Sequence, residues 1–333
     1  MSTSAHPAER RRLVIGAALG ALTASLHVPV HAQAGSYPVR PIRVVVPFAA
    51  GGAGDLVARS LGDPIRVELG QGLVVDNISG GNTIIGTQAV TRAQPDGYTL
   101  LQASTTNVLI PSLQANLPFD LYRDLVPVAS VGAVPMALAV NANAKYRNVA
   151  DLVAAAKSTS GGLFYSSGGS GSLTHLAGVR FAQDAKIEAT HVPFRGGGPA
   201  TQAVRADQVQ FTFGSTIAVM GMVKSGDLRL LAVTSPKRLA NFPDVPTMVE
   251  QGFPDFVPML WYGYMAPAKT PPAIVEKLHG AIAKAVRDPA VQTRFAEQGL
   301  AVEVRGPADF GRYMQEESRY WHKVIVDGKV KLE

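Results

Sequence analysis

Short apolar segments rich in β-branched residues alternate with segments of helical periodicity from Arg40 to the end of the chain. This alternation is typical of strand–helix–strand units on a mostly parallel sheet. It predicts an α/β fold with strands at residues 43–46, 73–75, 98–102, 136–140, 163–165, 189–192, 208–213 and 228–234.

Two helices near the end of the chain are predicted by apolar residues at helical spacing. The first follows Thr270, whose hydroxyl can cap a helix, and opens with Pro271 and Pro272, which suit a first turn. The second follows Pro307. We expect both helices to pack against a sheet rather than to contact a ligand.

Two further segments, residues 134–141 and 258–267, are interpreted as crossings between lobes. On that interpretation residues 35–137 and 260–333 form one discontinuous lobe, and residues 138–259 form the other. Such a chain has a cleft between its lobes and two connections about which the lobes can bend.

Residues 1–34 differ in kind from the rest of the chain. Arg10, Arg11 and Arg12 precede an apolar, alanine-rich stretch at 13–26, and Ala32-Gln33-Ala34 follows. This order predicts a cleaved secretory signal peptide and a periplasmic protein, and the arginine run is compatible with twin-arginine export. Removal of residues 1–34 takes away three arginines and Glu9, which lowers the formal net charge from +6 by 2 to +4.

Composition narrows the function classes. The chain has 333 residues, of which 47% are hydrophobic, which is enough material for more than one domain. Cysteine does not occur, so a lipid-anchor cysteine, a disulfide framework and a thiolate metal site are excluded. The basic residues are scattered, which argues against a nucleic-acid partner.

One local pattern occurs four times: a predicted strand runs into a Gly/Ser-rich loop that opens a helix. The loops lie at residues 47–55, 77–83, 166–172 and 193–199, two in each proposed lobe. Glycine lets backbone N–H groups approach a ligand, and a helix N-terminus favours an anion. Two such loops facing two others suit a small molecule with a carboxylate at each end.

Motifs for catalysis or cofactors are not found. Ser170 follows Gly168 but has Ser172, not glycine, two residues later, so the nucleophile elbow of serine hydrolases is absent. Neither a P-loop nor a zinc-protease motif occurs, and Gly51-Gly52-Ala53-Gly54 lacks the last glycine of a dinucleotide fingerprint. The histidines lack paired metal-ligand spacing. We therefore expect no enzyme, no cofactor and no metal.

The loops and their surroundings resemble the Bug family, the periplasmic solute receptors associated with tripartite tricarboxylate transporters. The resemblance runs from Tyr37 to Glu333. The segments that carry it include Val46-Pro47-Phe48 with Gly51-Gly52 and Asp55, Pro95-Asp96-Gly97-Tyr98-Thr99, Ser166-Ser167-Gly168 with His175-Leu176-Ala177-Gly178, His191-Val192-Pro193-Phe194-Arg195-Gly196, and Phe242-Pro243-Asp244-Val245-Pro246.

The resemblance implies a type II periplasmic-binding-protein fold, a monomer that closes two lobes on a carboxylate ligand and delivers it to membrane permease subunits. It also implies a set of ligand-binding residues. In the first lobe these are Phe48, Ala49, Gly51, Gly52, Asp55, Ser79, Gly80, Gly81, Asn82, Thr83 and Ser104. In the second they are Ser166, Ser167, Gly168, Phe194, Arg195, Gly196 and Ser215, with Trp261 on the second crossing.

Departures from the family pattern bear on the ligand. Asn82 and Thr83 stand where relatives have glycines, so this loop is expected to be narrower or to contact ligand through side chains. Gly214-Ser215-Thr216 stands where relatives often carry an acidic or amide residue suited to an ammonium group. The pattern therefore favours a plain dicarboxylate, aromatic ones included, over an amino acid.

Several residues have a structural interpretation beside the functional one. Asp55 is favourable in a first helical turn without any ligand, and Trp261 can pack a hinge as well as line a cleft. Two other functions also stay open. A sensor would dock a membrane signalling protein with the same pocket, and a periplasmic enzyme would use Asp55, His175 or Arg195 in a cleft.

Overall fold

The computed structural model describes residues 37–48, 50–51, 53–297 and 299–332. The predicted signal peptide, residues 1–34, lies outside the described residues. The strands are β1 (Ile42–Val46), β2 (Leu73–Asn77), β3 (Thr99–Ser104), β4 (Leu125–Asn141), β5 (Leu163–Ser167), β6 (Ala189–Pro193), β7 (Phe211–Ser215), β8 (Leu228–Val233), β9 (Met259–Pro267) and β10 (Ala301–Val302).

Helices connect most of these strands. They are α1 (Ala53–Ser60), α2 (Gly62–Leu69), α3 (Ile84–Thr91), α4 (Thr105–Leu113), α5 (Leu121–Asp124), α6 (Val149–Ser158), α7 (Leu173–Ala185), α8 (Gly197–Arg205), α9 (Thr216–Lys224), α10 (Pro272–Ala285), α11 (Pro289–Glu297) and α12 (Pro307–Asp327). None of the described helices is both long and apolar enough to cross a membrane.

All eight predicted strands and both predicted late helices are confirmed. One detail is wrong: Thr270 does not cap α10, because the N-cap position falls on Pro271 and Thr270 is buried. The helix instead relies on proline in its first turn, where a missing N–H leaves no intrahelical bond unmade.

The strands form two sheets that share β4. The first has the order β2-β1-β3-β9-β4, with β10 beside β4, and the second has the order β4-β7-β5-β6, with β8 on β4. Pro135 pairs with Met259 of β9 in the first sheet, and Met136 pairs with Ser215 of β7 in the second. The chain therefore passes from one sheet to the other between Pro135 and Met136, within the segment predicted as the first crossing.

The segment predicted as the second crossing, residues 258–267, is mostly strand β9, which pairs with β3 and β4 of the first sheet. Thr234 joins it to the second sheet, because its hydroxyl donates to Pro258 O at 2.7 Å and accepts from Met136 N at 2.8 Å. The proposed lobe boundaries at 137/138 and 259/260 stay a prediction.

Each sheet has its own apolar core. The first packs β1 and β3 against α1, α2 and α10 through residues such as Val44, Val57 and Leu278. The second packs its strands against α6 and α7, with Phe181, Phe211 and Phe213 in mutual ring contact.

Helix α12 packs against both sheets. Its first half buries Phe310 and Met314 beside Trp261 of β9, whereas Trp321 and Val324 in its second half belong to the core of the second sheet. The apolar spacing predicted for this helix thus serves two packing surfaces.

Candidate functional site

In the first sheet, parallel pairing brings the loops after β1 and β2 to one edge. Val46 pairs with Asn77, so both strands end at the same level, and β3 lies on the other side of β1 with Leu101 opposite Val45. We call residues 47–52 and 78–83 the first-sheet loops. Ser104, at the end of β3, reaches the same edge.

The second sheet repeats this arrangement. Ser167 pairs with Pro193, and Ser166 pairs with Thr212 of β7, so β5, β6 and β7 all end at one edge. We call residues 168–172 and 194–196 the second-sheet loops. Ser215, at the end of β7, is level with them.

Strand β4 brings the two edges together. Its first part runs antiparallel to β9, which is itself antiparallel to β3, so β4 reaches Pro135 at the edge where β3 ends. The next residue, Met136, pairs with Ser215 at the end of β7. The carboxyl edges of the two sheets therefore meet at the junction of β4, and the helices that follow them open toward the same place.

Asp55 holds the loop after β1 in place. It is 3% exposed, its Oδ2 accepts from Gly51 N at 2.9 Å, and both its oxygens accept from Arg59 Nε at 3.0 Å. The hydrogen bond from Arg59 is the main cause that lowers the pKa of this carboxyl, with Gly51 N–H adding to it against the effect of burial. Asp55 is thus an ionised brace, and its contact with a ligand stays a prediction.

Asn77 ties this brace to the neighbouring strand. Its amide donates to Phe48 O at 3.1 Å and its oxygen accepts from Arg59 at 3.2 Å. The sequence analysis missed Arg59, and it placed Asn77 at the start of a loop without predicting this role. The i,i+4 spacing of Asp55 and Arg59 was an available signal for the pair. Ala49 and Gly52, predicted as ligand contacts, lie outside the described residues.

The loop after β2 turns through residues with positive φ. Gly80 and Gly81 have φ of +131° and +55°, and Asn82 and Thr83 follow with 49° and 80°. Such angles are unusual for a β-branched residue and require support from its surroundings. Thr83 is 3% exposed and its hydroxyl accepts from the Asn107 amide at 3.3 Å.

The same Asn107 anchors the end of β3, since its Oδ1 accepts from Ser104 N at 2.9 Å. Asn82 and Ser79 are exposed, whereas Ser104 and Thr83 are buried. Of the predicted side-chain contacts in this region, Asn82 and Ser79 are therefore the ones open to solvent.

The loop after β5 is held by its own serines. Ser166 and Ser167 are fully buried: Ser166 Oγ donates to Ala200 O at 2.8 Å, and Ser167 Oγ lies 3.1 Å from both Gly169 N and Gly169 O. Gly168 N donates to Thr174 Oγ1 at 3.0 Å. These hydroxyls shape the backbone of the loop, and their contact with a ligand stays a prediction.

Two histidines lie beneath this loop. His191 Nε2 is 2.6 Å from Ser167 Oγ, and His175 Nδ1 accepts from Gly171 N at 3.0 Å. Their rings stack with centroids 3.6 Å apart and planes 9° apart. Burial lowers the pKa of His191 to about 4, and burial followed by the charge of His191 lowers the pKa of His175 to about 3.

The loop after β6 lies against the loop after β5. Phe194 N donates to Ser167 O at 3.0 Å, and Gly196 N donates to Gly168 O at 3.1 Å. Gly196 has φ of +106°, which favours glycine, and opens α8. Arg195 between them is exposed. The two second-sheet loops therefore form one hydrogen-bonded unit that presents Arg195 to solvent.

Two other predicted residues have structural tasks. Ser215 caps α9 by accepting from Ala218 N at 3.2 Å. Trp261 is 1% exposed and packs edge-on against Phe310 and Tyr313, inside the core that α12 covers. Core packing accounts for Trp261 without any ligand, and its contact with one stays a prediction. Within the described ranges no group of three or more His, Asp or Glu residues could hold a metal.

A model of the family described as "Tripartite tricarboxylate transporter family receptor" matches residues 57–329. The chain belongs to this family. Protein BugT of Bordetella pertussis is 36% identical over 312 residues, which cover 93% of this chain and 95% of BugT. A protein encoded in the tcbD-tcbE intergenic region of Pseudomonas sp. strain P51 is 35% identical, over 96% of this chain and 94% of its own length.

Solved structures of similar proteins support the same family assignment. Periplasmic binding protein BugD matches with a TM-score of 0.78 and 32% identity, over 89% of this chain and 100% of BugD. R. palustris Rpa4515 with adipate matches with 0.81 and 29%, over 89% and 100%. MatC from Rhodopseudomonas palustris with bound malate matches with 0.76 and 30%, over 87% and 100%.

These likenesses confirm the predicted family and the α/β type II periplasmic-binding-protein fold. The receptor family and its solved members are solute-binding proteins rather than enzymes, as predicted for this chain. Receptors of this family bind small carboxylates and work with membrane transporter components.

Proposed function

We propose that this receptor binds a small dicarboxylate, aromatic ones included, between the first-sheet and second-sheet loops, and delivers it in the periplasm to the permease subunits of a tripartite tricarboxylate transporter. The observation that carries the proposal is the meeting of two carboxyl edges at the β4 junction. Each edge presents glycine-rich loops that open helices, α1 and α3 on one side and α7 and α8 on the other.

Helix N-termini supply the anion-binding groups. The first-turn N–H groups of a helix have no carbonyl partner within the helix, and the helix dipole favours negative charge there. Two opposed sets of such donors suit a ligand with a carboxylate at each end. Two similar structures are named with dicarboxylates, adipate and malate, which supports this ligand class.

The side chains of the loops favour a doubly anionic ligand over a zwitterion. Arg195 is the one charged residue of the sequence within the first-sheet and second-sheet loops. The carboxylate of Asp55, just beyond the first loop, already accepts from Gly51 and Arg59. A guanidinium can bind a carboxylate with two hydrogen bonds. Ser215, where an acidic residue would suit an ammonium group, offers a hydroxyl instead.

The proposal is tested by thermal unfolding of the purified protein with dicarboxylates of increasing length, terephthalate, monocarboxylates and amino acids. A ligand present at 100 times its Kd stabilises the folded state by about 2.7 kcal/mol, so a true ligand raises Tm measurably. We expect shifts with dicarboxylates and none with matched monocarboxylates. Equal shifts with both classes, or shifts with amino acids alone, would contradict the proposal.

Delivery is tested separately once a ligand is known. Cells that lack this chain should lose uptake of the radiolabelled acid and regain it when the chain is restored. Full uptake without the protein would show that the ligand is bound for another purpose.

A further inference from the structure

His175 and His191 form a stacked pair beneath the second-sheet loops. His175 is on α7 and His191 on β6, and their imidazoles lie parallel at 3.6 Å between centroids. His175 is 7% exposed and His191 is half-buried. A stacked pair at this distance excludes water from the faces that meet.

Each ring bonds to a different part of the loop after β5. His191 Nε2 meets Ser167 Oγ at 2.6 Å, and Ser167 in turn contacts the backbone of Gly169. His175 Nδ1 accepts the N–H of Gly171 at 3.0 Å. The pair therefore fixes the loop at its beginning and near its end, on either side of Ser170.

The second-sheet loops depend on each other through the same residues. Ser167 O accepts from Phe194 N, and Gly168 O accepts from Gly196 N. A shift of Ser167 would move the loop that carries Arg195 as well. The two histidines thus support the loop after β5 directly and the loop after β6 through Ser167.

The hydrogen bond from Gly171 requires a neutral His175 ring, whereas His191 Nε2 can donate to or accept from Ser167 Oγ. Nδ1 of His175 can accept from Gly171 only when it carries no proton, which places the ring proton on Nε2. The groups that face the pair are Tyr165 of β5, whose ring centroid is 6.3 Å from His175 and 5.2 Å from His191, and the imidazoles themselves. In the described part of the chain no ion pair joins a carboxylate to either ring.

We propose that His175 and His191 are positioning residues for ligand binding: as a stacked pair of neutral imidazoles they hold Ser167 and Gly171, and with them the second-sheet loops, in the arrangement that receives the ligand. Protonation of His175 breaks its bond with Gly171, and protonation of both rings sets two cations against each other. Either event loosens the loops. The inference rests on the proposed function for its effect on affinity, but not for its effect on the loop.

Two substitutions at each position separate positioning from simple space filling. H175N keeps an acceptor near the place of Nδ1 and cannot gain a proton, whereas H175L fills the space without an acceptor. In the same way, H191Q keeps a polar amide near the place of Nε2 opposite Ser167, and H191L fills the space without a hydrogen-bonding group. H322N is the matched control, because the exposed His322 also bonds to a serine hydroxyl, Ser112, at 3.0 Å.

Affinity for adipate and for malate is measured by calorimetry at pH 7.5. We expect H175N, H191Q and H322N to bind within about threefold of the wild type, and H175L and H191L to lose about tenfold or more, the scale of one lost hydrogen bond with an orphaned partner. Wild-type affinity in both leucine variants, or equal losses in the leucine and amide variants, would overturn the inference.

The amide signal of Gly171 gives a readout that needs no ligand. In the unliganded protein its chemical shift should move as the pH falls from 7.5 to 3.5 in the wild type and H322N, and move much less in H175N/H191Q, in which neither new side chain titrates. A shift that does not move in the wild type would overturn the inference even if H175L fails to fold. Absence of adipate and malate binding in the wild type would instead count against the proposed function alone.

Discussion

The first-sheet and second-sheet loops occupy equivalent places in their sheets but are held by opposite kinds of chemistry. The loop after β1 depends on an ionised carboxylate, Asp55, which accepts from Gly51 and from the guanidinium of Arg59. The loop after β5 depends on hydroxyls and on two imidazoles whose pKa values are lowered by burial, so that they are neutral at pH 7. The first-sheet edge is stabilised by charged groups, and the second-sheet edge by uncharged ones.

The two braces, Asp55 with Arg59 at the first-sheet edge and the histidine pair at the second-sheet edge, therefore respond to acid in different pH ranges. The pKa of Asp55 is lowered below its ordinary value of 3.8, so its stabilisation is present above pH 3.8 and is lost only as the pH falls through its folded pKa. The histidines also have lowered pKa values, but their charged form is the one that folding disfavours. Their penalty begins as the pH falls below 6.5, where the unfolded chain gains protons that the folded chain does not.

The largest expected effect is the acid destabilisation caused by the histidine pair. With an unfolded pKa of 6.5 and folded values of about 3 for His175 and about 4 for His191, each ring should lower the free energy of unfolding by about 2 kcal/mol between pH 7.5 and pH 5. Urea unfolding at the two pH values measures the sum, about 4 kcal/mol.

The double variant H175N/H191Q provides the comparison, since neither new side chain titrates. Its stability should change much less than that of the wild type over the same interval, while Asp55 is still ionised at both pH values. Equal losses in the wild type and the double variant would show that the acid sensitivity lies elsewhere in the molecule.

The next effect concerns the charged brace. D55A removes an acceptor that serves Gly51 and Arg59, and hydrogen bonds to a charged group contribute about 1.5–3 kcal/mol. We expect a loss of about 2 kcal/mol in the free energy of unfolding, together with weaker ligand binding, because the loop after β1 loses its anchor. Urea unfolding and calorimetry at pH 7.5 measure the two effects.

D63A is the matched control for D55A. Asp63 also begins a helix and pairs with an arginine, Arg66, at 3.6 Å, but its side chain is 86% exposed. A surface pair of this kind contributes little. If D63A proved as destabilising as D55A, the burial of Asp55 would not explain its contribution to the free energy of unfolding.

A smaller effect distinguishes the packing of the two helix starts. A Cβ added at Gly54 in α1 would lie 2.8 Å from Gln102 Oε1 and 3.2 Å from Phe48, whereas at Gly197 in α8 it would meet Ala218 Cβ at 3.4 Å. G54A should therefore lower the free energy of unfolding by about 1–2 kcal/mol through overpacking. G197A should change it by less than about 0.5 kcal/mol.

Both glycine variants can be followed by urea unfolding and by ligand affinity. Gln102 also donates to Gly54 O at 2.6 Å, so a displaced Gln102 would disturb the first-sheet edge as well as the core. Similar behaviour of G54A and G197A would mean that the two helix starts are equally free to adjust.

The sequence was sufficient to predict the elements whose apolar pattern is regular. Strands such as β1 and β5 have short β-branched or aromatic runs followed by glycine loops, and the strands of this kind were predicted. The first half of β4 was not, because Pro127, Gly132 and Pro135 interrupt its pattern and residues 128–140 are buried without alternation. Strand β9 was interpreted as a crossing, although its aromatic residues favour a strand.

The candidate site shows the same division. Its loops were predicted, because glycine near the end of a strand is a local signal. Its supports were only partly visible: Asp55 and Arg59 have helical i,i+4 spacing, but the contact of His175 with His191 joins α7 to β6 and depends on tertiary packing. The meeting of the two edges depends on the register of β4, which no local pattern specifies.

The smallest effect on folding, and the clearest on binding, is expected for R195A. Within the first-sheet and second-sheet loops Arg195 is the one charged residue, and it is exposed, so its removal leaves both braces unchanged. If it pairs with the second carboxylate of the ligand, affinity for a dicarboxylate should fall about tenfold or more while stability without ligand stays constant. R205A, at the exposed far end of the helix α8 that follows Arg195, is the control and should bind normally. Unchanged binding in R195A would mean that backbone donors of the second-sheet loops hold the ligand without a cationic side chain. The two edges would then bind carboxylates in the same way and differ only in the residues that support their loops.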